Sequence, residues 1–302
     1  MRSIWSILVP CSLLAACAVD PLTSTTDQNA TGNNALAANA LAANALAANA
    51  LAANALAPNA LAANALAANA LAANALLTDA SGRSVYSYIV SCALPADVVV
   101  IADVPGVSDT PVGSPFTCSA ATQQCTFPGG LGLAPYWADR RLDAEGQQWI
   151  SSCLFARVSA FGTPDEISLR GRNPALAVSD AELELYTTQE GAFYGNWFAK
   201  TAWVPGDALA CSGEGQLGGV TGGLVKRACA RPDPANPGYT LCGFTYTGWC
   251  ADYTPQAPTP HACNNFRSAG GGYYDECHGK PNGTANRLNT RAWTAAITTY
   301  VP

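Results

Sequence analysis

Residues 143–161 read DAEGQQWISSCLFARVSAF and form the most regular segment of this 302-residue chain. Apolar side chains recur there at helical spacing and form one stripe, which includes Cys153. Asp143 can cap the start of a helix, while Gly162 and Pro164 can end it. We therefore predict one main helix over about residues 143–161. Cys153 would face the core, where a disulfide would tie this helix to a sheet.

The sequence around this helix is typical of short strands. Residues 97–104 are a continuous apolar run of the kind that forms a buried strand. After residue 162, short apolar runs alternate with Gly, Pro and Asn, which predicts several more strands. These strands are predicted at residues 166–169, 182–187, 239–247 and 293–301. The pattern predicts an α+β, strand-rich domain over residues 79–302.

Cysteine is the most informative residue type in this region. The chain has 12 cysteines, of which ten remain once Cys11 and Cys17 are set aside. An even number in an oxidising compartment predicts five disulfides, although spacing alone does not fix their connectivity. Assuming mostly local pairing, the predicted bridges are Cys92–Cys153, Cys118–Cys125, Cys211–Cys229, Cys242–Cys250 and Cys263–Cys277.

Charge and motifs exclude several classes of function. The chain has 21 acidic and 15 basic residues and a formal net charge of -6, which disfavours a nucleic-acid partner. It has no Cys-x-x-Cys pair and only two histidines, His261 and His278, so we expect no metal site. Nucleophile-elbow, phosphate-loop and His-Glu-x-x-His motifs are absent from the sequence. We therefore expect no cofactor, and a binding protein rather than an enzyme.

Two clusters combine aromatic rings with polar side chains. Aromatic faces stack on the CH groups of sugars, while neighbouring amides and carboxylates bond hydroxyl groups. The clusters therefore predict ligand-binding residues, unless their rings belong to the core. The candidates are Glu190, Phe193, Tyr194, Asn196 and Trp197 in the first cluster, and Tyr273, Tyr274, Asp275 and His278 in the second.

A five-residue unit, Asn-Ala-Leu-Ala-Ala, repeats through residues 34–77, with a leucine at every fifth position from Leu36 to Leu76. In an α-helix this period turns successive leucines by about 140°, so no apolar face forms. The tract resembles pentapeptide-repeat proteins, in which each unit forms one side of a four-sided β-helix with its central Leu inside. That resemblance implies a solenoid stalk with Pro58 at a corner, although this tract has Ala directly before the leucine. A helix and a disordered spacer are the alternatives.

The first residues combine a positive start at Arg2 with an apolar run over residues 4–14 that is too short to span a bilayer. The segment Leu14-Ala15-Ala16-Cys17 follows at once and resembles a lipobox. In this respect the chain is similar to lipoprotein precursors of Gram-negative bacteria. The resemblance implies cleavage before Cys17, lipidation of its thiol and, because Ala18 rather than Asp comes next, sorting to the outer membrane.

The sequence therefore predicts four parts: a signal peptide at 1–16, a lipidated flexible tether at 17–33, the repeat stalk at 34–77 and a disulfide-bonded domain at 79–302. We expect a cell-envelope protein, anchored to the membrane by lipid, that displays a binding or structural domain for a glycan, wall polymer or envelope protein. The alternative is a tethered secreted hydrolase, glycosidase-like, that uses carboxylates or His278. An enclosed cleft with two carboxyl groups about 5 to 10 Å apart would favour the hydrolase, and an open aromatic patch the binder.

Overall fold

The structure is a computed structural model that describes residues 31–34, 36–37, 75–140, 142–159, 165–199, 207–216, 228–251, 261–279 and 292–302. Cys17, the signal peptide and the repeat leucines from Leu41 to Leu71 lie outside the described residues. Lipidation and the solenoid therefore stay predictions. Within the described part of the chain, the helices are too short or too polar to cross a membrane.

The described strands form four sheets. The strands are β1 (Thr31–Asn34), β2 (Leu36–Ala37), β3 (Val99–Asp103), β4 (Thr117–Ser119), β5 (Gln124–Pro128), β6 (Val158–Ser159), β7 (Asp165–Arg170), β8 (Thr188–Asn196), β9 (Asp207–Ser212), β10 (Thr245–Trp249), β11 (Cys263–Arg267), β12 (Tyr273–His278), β13 (Ala292–Trp293) and β14 (Ile297–Val301). The largest sheet has the order β1-β7-β14-β8-β9-β10 and is antiparallel except for the β9–β10 pair. Smaller sheets have the orders β11-β12-β13, β3-β5-β4 and β2-β6.

The predicted α+β class is confirmed, but the described residues form three helices rather than one. They are α1 (Ala80–Ala93), α2 (Ala144–Ala156) and α3 (Asp180–Leu185). The predicted main helix corresponds to α2, and Asp143 caps it as expected by accepting a hydrogen bond from the Gly146 amide at 2.8 Å. The helix ends at Ala156, earlier than predicted, because strand β6 begins at Val158 and pairs with β2.

Helix α1 was not predicted because its sequence, ASGRSVYSYIVSCA, is rich in Ser, Val, Tyr and Ile, which have modest helix propensity. Packing stabilises it instead. Tyr86 and Ile89 are fully buried, and the Tyr86 ring meets Phe127 of β5 edge-on at 4.9 Å. Asp79 caps the first turn by accepting from the Gly82 amide at 2.8 Å. Tertiary contacts therefore override local preference here.

Four strand predictions need correction. Of the strand predicted at 239–247 only the last residues belong to β10, and the strand predicted at 293–301 is divided into β13 and β14, which lie in different sheets. Residues 182–187 were expected to be extended, but α3 covers most of them because Ser179 caps a helical turn by accepting from the Glu182 amide at 3.2 Å. The strand predicted at 97–104 exists as β3, yet it is not buried on both faces. Val99 and Ile101 are 52% and 53% exposed, because β3 is an edge strand whose sheet packs against α1 on one face.

The central strand β8 separates two hydrophobic clusters. Phe193 points to the larger one, which includes residues of α1 and α2, whereas Ala192 and Tyr194 point to the smaller one. The smaller cluster lies between the six-stranded sheet and the β11-β12-β13 sheet, and it includes Trp293. Strand β8 is therefore buried on both faces, which explains why it lacks the alternation of apolar and polar residues typical of a half-exposed strand.

The ten cysteines within the described residues all form disulfides, and three of the five predicted pairs are confirmed: Cys92–Cys153, Cys118–Cys125 and Cys263–Cys277. The first of these joins α1 to α2 rather than a helix to a sheet. The pairs predicted for the other four cysteines are wrong. The observed bridges are Cys211–Cys250 and Cys229–Cys242.

The Cys211–Cys250 bridge follows from the topology of the six-stranded sheet. Strands β9 and β10 are parallel neighbours, and the amide of Cys250 donates to the Ser212 carbonyl at 2.9 Å, which places Cys250 beside Cys211. Proximity in space therefore overrides proximity in sequence. The Sγ atom of Cys211 also lies 3.5 Å from that of Cys263, so two separate bridges are in contact.

Candidate functional site

The first predicted cluster is part of the core. Its five residues, in β8 and the turn that follows it, are at most 7% exposed: Glu190, Phe193, Tyr194, Asn196 and Trp197. A sugar ring cannot stack on these side chains because layers cover both faces of β8. The ligand-binding role predicted for them is therefore replaced by a structural one.

Polar groups of this buried cluster bond other parts of the domain. The Tyr194 hydroxyl donates to the His278 carbonyl oxygen at 2.9 Å and lies 2.7 Å from the Thr247 hydroxyl. Burial raises the pKa of Tyr194 well above its ordinary value. The Glu190 carboxylate accepts from the Thr299 hydroxyl at 2.9 Å. These contacts join β8 to β10, to β14 and to the end of β12.

The second predicted cluster lies on β12, in a hairpin whose base is closed by a disulfide. Cys263 and Cys277 are register partners in the antiparallel β11–β12 pair and are bonded to each other. At the other end, the turn passes through Gly271 and Gly272, whose φ angles of 94° and 83° suit glycine and strain other residues. The hairpin is therefore constrained at both ends.

The structure separates the four candidates on β12. Tyr274 is buried, and its hydroxyl donates to the Gln189 side chain at 3.3 Å, so it fastens the hairpin to the central sheet. Tyr273, Asp275 and His278 are partly exposed. Tyr273 and Asp275 line one surface depression, and His278 takes part in a separate polar cluster.

An open depression of about 620 Å³, here called the hairpin patch, is lined by Phe266, Arg267, Ser268, Ala269, Tyr273 and Asp275. Phe266 is 48% exposed, although it packs against the Tyr274 ring at 5.1 Å. The Arg267 Nε donates to Asp275 at 2.5 Å, and the Arg267 side chain is 61% exposed. The patch thus offers aromatic surface beside a guanidinium and a carboxylate.

Sequence reasoning missed Phe266 and Arg267, although one signal for them existed. The predicted Cys263–Cys277 bridge already implied that the residues after Cys263 run beside those before Cys277. An antiparallel hairpin then brings Arg267 close to Asp275 and Phe266 close to Tyr274.

The polar cluster contains both histidines of the chain. His261 Nε2 lies 3.1 Å from the Asn264 side-chain oxygen, and the Asn264 amide nitrogen lies 3.3 Å from His278 Nε2. That same His278 nitrogen lies 2.7 Å from a Glu276 carboxylate oxygen. His261 Nδ1 is buried and has no hydrogen-bond partner within the described residues. Two imidazoles, an amide and a carboxylate therefore meet at one end of the hairpin.

A second depression, of about 480 Å³, lies between the start of α1 and residues 104–116. Among its described lining residues the sole carboxylate is Asp109, which accepts from the Ala120 amide at 2.8 Å, and the sole cation is Arg83. This depression therefore lacks the paired carboxylates that a glycosidase requires.

Three cysteine sulfur atoms lie close together in the described part of the chain, but they are not available to a metal ion in the oxidised protein. The Sγ atoms of Cys211, Cys250 and Cys263 lie within 4.8 Å of one another, but each belongs to a disulfide. A metal ion binds the thiolate form of cysteine, which a disulfide does not offer.

No protein family, no curated protein and no solved structure matches this chain significantly.

Proposed function

We propose that this chain is an envelope lipoprotein, lipidated at Cys17 and sorted to the outer membrane, whose disulfide-bonded domain binds a glycan or wall polymer through the hairpin patch. The observation that carries the binding role is the exposed Phe266 ring beside the Arg267–Asp275 ion pair in an open depression. A ring face packs against sugar CH groups, and the charged pair offers both donors and acceptors to hydroxyl groups.

The shape of the patch supports binding without catalysis. Its described lining contains one carboxylate, Asp275, which is already paired with Arg267. A glycosidase needs a second carboxyl group across the scissile bond and a site that holds the sugar between them. The open surface instead suits a polymer that lies across it.

The hairpin is also held in place before any ligand arrives. The Cys263–Cys277 bridge constrains one end, and Tyr274 attaches the strand to Gln189 of β8. A surface that is already ordered loses less conformational entropy on binding, so more of the contact free energy appears as affinity. This supports a binding role for a patch of modest area.

The glycan proposal can be tested with detergent-extracted full-length protein, by co-sedimentation with purified peptidoglycan and by binding to an array of bacterial glycans. We expect Phe266→Ala to weaken binding by about 2- to 13-fold, which corresponds to the roughly 0.5 to 1.5 kcal/mol of an aromatic contact. Tyr239→Ala is the matched control, because Tyr239 is 51% exposed and lies outside the patch. Equal affinity of the two variants, or no binding by the parent protein, would refute the proposal.

Anchoring is tested separately from binding. The expected lipid is detected by intact mass of the membrane-extracted protein, and Cys17→Ala should abolish that added mass because the Cys17 thiol is where the acyl-bearing group is attached. A Cys17 peptide that carries no lipid in the parent protein would overturn this part of the proposal. The result of the glycan experiment does not depend on it.

The hydrolase alternative has one observation in its favour, the 2.7 Å contact between Glu276 and the His278 ring. A carboxylate that orients an imidazole supplies two of the three members of a nucleophilic triad. Within the described residues, however, no serine or threonine hydroxyl hydrogen-bonds the His278 ring. Turnover of an ester or glycan that is lost in His278→Ala would favour this alternative.

A further inference from the structure

We propose that the outer side of strand β3 is a docking site for an extended, basic peptide segment of a partner protein, which adds a strand to the β3-β5-β4 sheet. Within the described residues, β3 pairs with β5 on one side and with no strand on the other. We call that unpaired side the β3 edge. The hairpin patch lies on a different sheet, so this inference does not rest on the glycan proposal.

The register of the β3–β5 pair shows which backbone groups lie along the β3 edge. Just past the end of β3, the Val104 amide donates to the Gln123 carbonyl at 2.8 Å. The inter-strand hydrogen bonds of an antiparallel pair involve every second residue of each strand, so the even-numbered residues of β3 bond β5. The N–H and C=O groups of Val99, Ile101 and Asp103 therefore point outward along the β3 edge.

The side chains of these same residues form a half-exposed face. Side chains alternate along a strand, so Val99, Ile101 and Asp103 share one face, while Val100 and Ala102 point to the core. Val99 and Ile101 are about half exposed, and β-branched side chains of this kind pack well across neighbouring strands. A strand that pairs with β3 therefore gains backbone hydrogen bonds and an aliphatic contact together.

The opposite edge of the sheet, beside β4, is closed by a loop. The Thr110 amide donates to the Cys118 carbonyl at 3.3 Å, and the Cys118 amide donates to the Thr110 hydroxyl at 2.9 Å. The Asp109 carboxylate accepts from the Ala120 amide at 2.8 Å. Edge strands are normally protected by such a covering segment, by proline or by a bulge. Strand β3 contains no proline and no bulge, and no other described segment bonds its outer side.

Charge selects a basic partner for the β3 edge. Asp97 is exposed just before the strand, and Asp103 is its last residue. No lysine or arginine occurs between Arg83 and Arg140, a stretch that contains four aspartates and the whole β3-β5-β4 sheet. A partner strand with Lys or Arg at both ends and aliphatic residues between them places cations beside these carboxylates, which favours association and fixes the register. A second copy of this chain would instead bring two more aspartates to the same edge.

The sheet is ordered before a partner arrives. The Cys118–Cys125 bridge joins β4 to β5, and Phe127 of β5 contacts the Tyr86 ring of α1 at 4.9 Å. Strand addition draws its affinity from main-chain hydrogen bonds and its specificity from alternate side chains. Because β3 is already extended and held on this scaffold, pairing costs it little conformational entropy, so a short peptide is a sufficient probe.

The test uses unreduced, detergent-extracted full-length protein and a fluorescent peptide, Lys-Val-Thr-Val-Thr-Val-Lys with blocked ends, whose binding is measured by fluorescence anisotropy. We expect saturable binding with a dissociation constant below about 500 µM at low salt, weakened by added salt. The same peptide with methylated internal amides cannot donate to the β3 carbonyls and should bind at least about tenfold more weakly. Glutamate in place of the two lysines should also weaken binding.

Ile101→Pro is the decisive variant. Because the Ile101 N–H points outward, proline there removes a donor from the β3 edge and leaves the β3–β5 hydrogen bonds intact. We expect at least about a tenfold loss of affinity, with thermal unfolding as the check that the variant is folded. Val112→Pro is the matched control. Val112 is exposed and follows Pro111 in a turn closed by the Ser114 amide, a position that proline favours, so this variant should bind as the parent does.

Charge is tested with the double variant Asp97→Asn/Asp103→Asn. Loss of two exposed ion pairs should weaken peptide binding by about 2- to 30-fold at low salt. Asp109→Asn is the matched control, because Asp109 carries the same charge but lies beside β4, and it should bind as the parent does.

Three results would overturn the proposal: no binding by the parent, equal binding of the lysine and glutamate peptides, or unchanged affinity in a folded Ile101→Pro variant. Light scattering of the parent in detergent should show one chain per micelle. A dimer that Ile101→Pro dissociates would instead assign the β3 edge to a second copy and exclude the basic partner. If Ile101→Pro does not fold, the methylated peptide and the double aspartate variant decide the question, since neither alters β3 packing.

Discussion

Removal of the Cys92–Cys153 bridge should reveal how much the disulfides constrain the unfolded chain. This bridge closes a loop of 61 residues, whereas Cys118–Cys125 closes one of 7. If the stabilisation comes from loop-closure entropy, the bridges contribute about 4.3 and about 2.4 kcal/mol at 25 °C. All four sulfur atoms lie in buried residues, so the loss of packing in the two double alanine variants is similar. The difference between them should therefore be about 2 kcal/mol.

The measurement is equilibrium urea unfolding of the two double variants and the parent, followed by tryptophan fluorescence and by far-UV circular dichroism. Coincident curves are required before free energies are compared. The dependence of the unfolding free energy on urea should also rise more in the Cys92→Ala/Cys153→Ala variant, because its unfolded state expands more. Equal losses in the two variants, or a larger loss for the short loop, would refute the entropic reasoning.

Three further predictions concern the core and the helix cap. Gly191→Ala places a methyl group against the Cys211 carbonyl oxygen, so we expect a loss of about 1 to 3 kcal/mol in thermal unfolding, and an unchanged stability would contradict this. Tyr194→Phe removes the hydroxyl that donates to the His278 carbonyl and should lower the free energy of urea unfolding by about 1 to 3 kcal/mol at neutral pH. Burial raises the pKa of Tyr194, so its ionisation above pH 10 favours the unfolded state of the parent. The Phe variant cannot ionise at this position and should lose less stability than the parent above pH 10. Asp143→Ala should cost about 1 kcal/mol at pH 7. Hydrogen bonds lower the pKa of Asp143 in the folded protein, so the stabilisation is present above the unfolded-state pKa and is lost as the pH falls through the lower folded-state pKa. A difference from the parent that does not shrink as the pH is lowered from 7 to 2 would contradict this.

The parts of the fold that sequence predicts are those with a local cause. Asp143 caps α2 through its own side chain, and apolar and polar residues alternate within β7, so both elements were predicted. Helix α1 depends instead on packing of Tyr86 against β5, a contact between segments far apart in the chain. No local pattern contains that information, which is why a sequence rich in Val, Tyr and Ser was not recognised as helical.

The candidate site was likewise predicted correctly only where its cause is local in the sequence. The aromatic run around Phe193 was interpreted as a ligand surface because sequence cannot show that layers cover both faces of β8. The local Cys263–Cys277 pair was predicted correctly, whereas Cys211–Cys250 depends on β9 and β10 being parallel neighbours. His261 and His278 come close to each other because of the register of the β11–β12 hairpin, in which Cys263 lies opposite Cys277.

The contact between the Cys211 and Cys263 sulfur atoms, 3.5 Å apart in different bridges, bears on how the chain is made. In an oxidising compartment, the first of these two bridges to form presents a disulfide to the thiols that remain beside it. A thiolate that attacks at this point exchanges partners, and no new bridge is gained. The yield of native protein is therefore governed by repeated rearrangement among neighbouring sulfur atoms, and a host that supplies a disulfide isomerase should produce this chain more successfully than one that supplies only an oxidant.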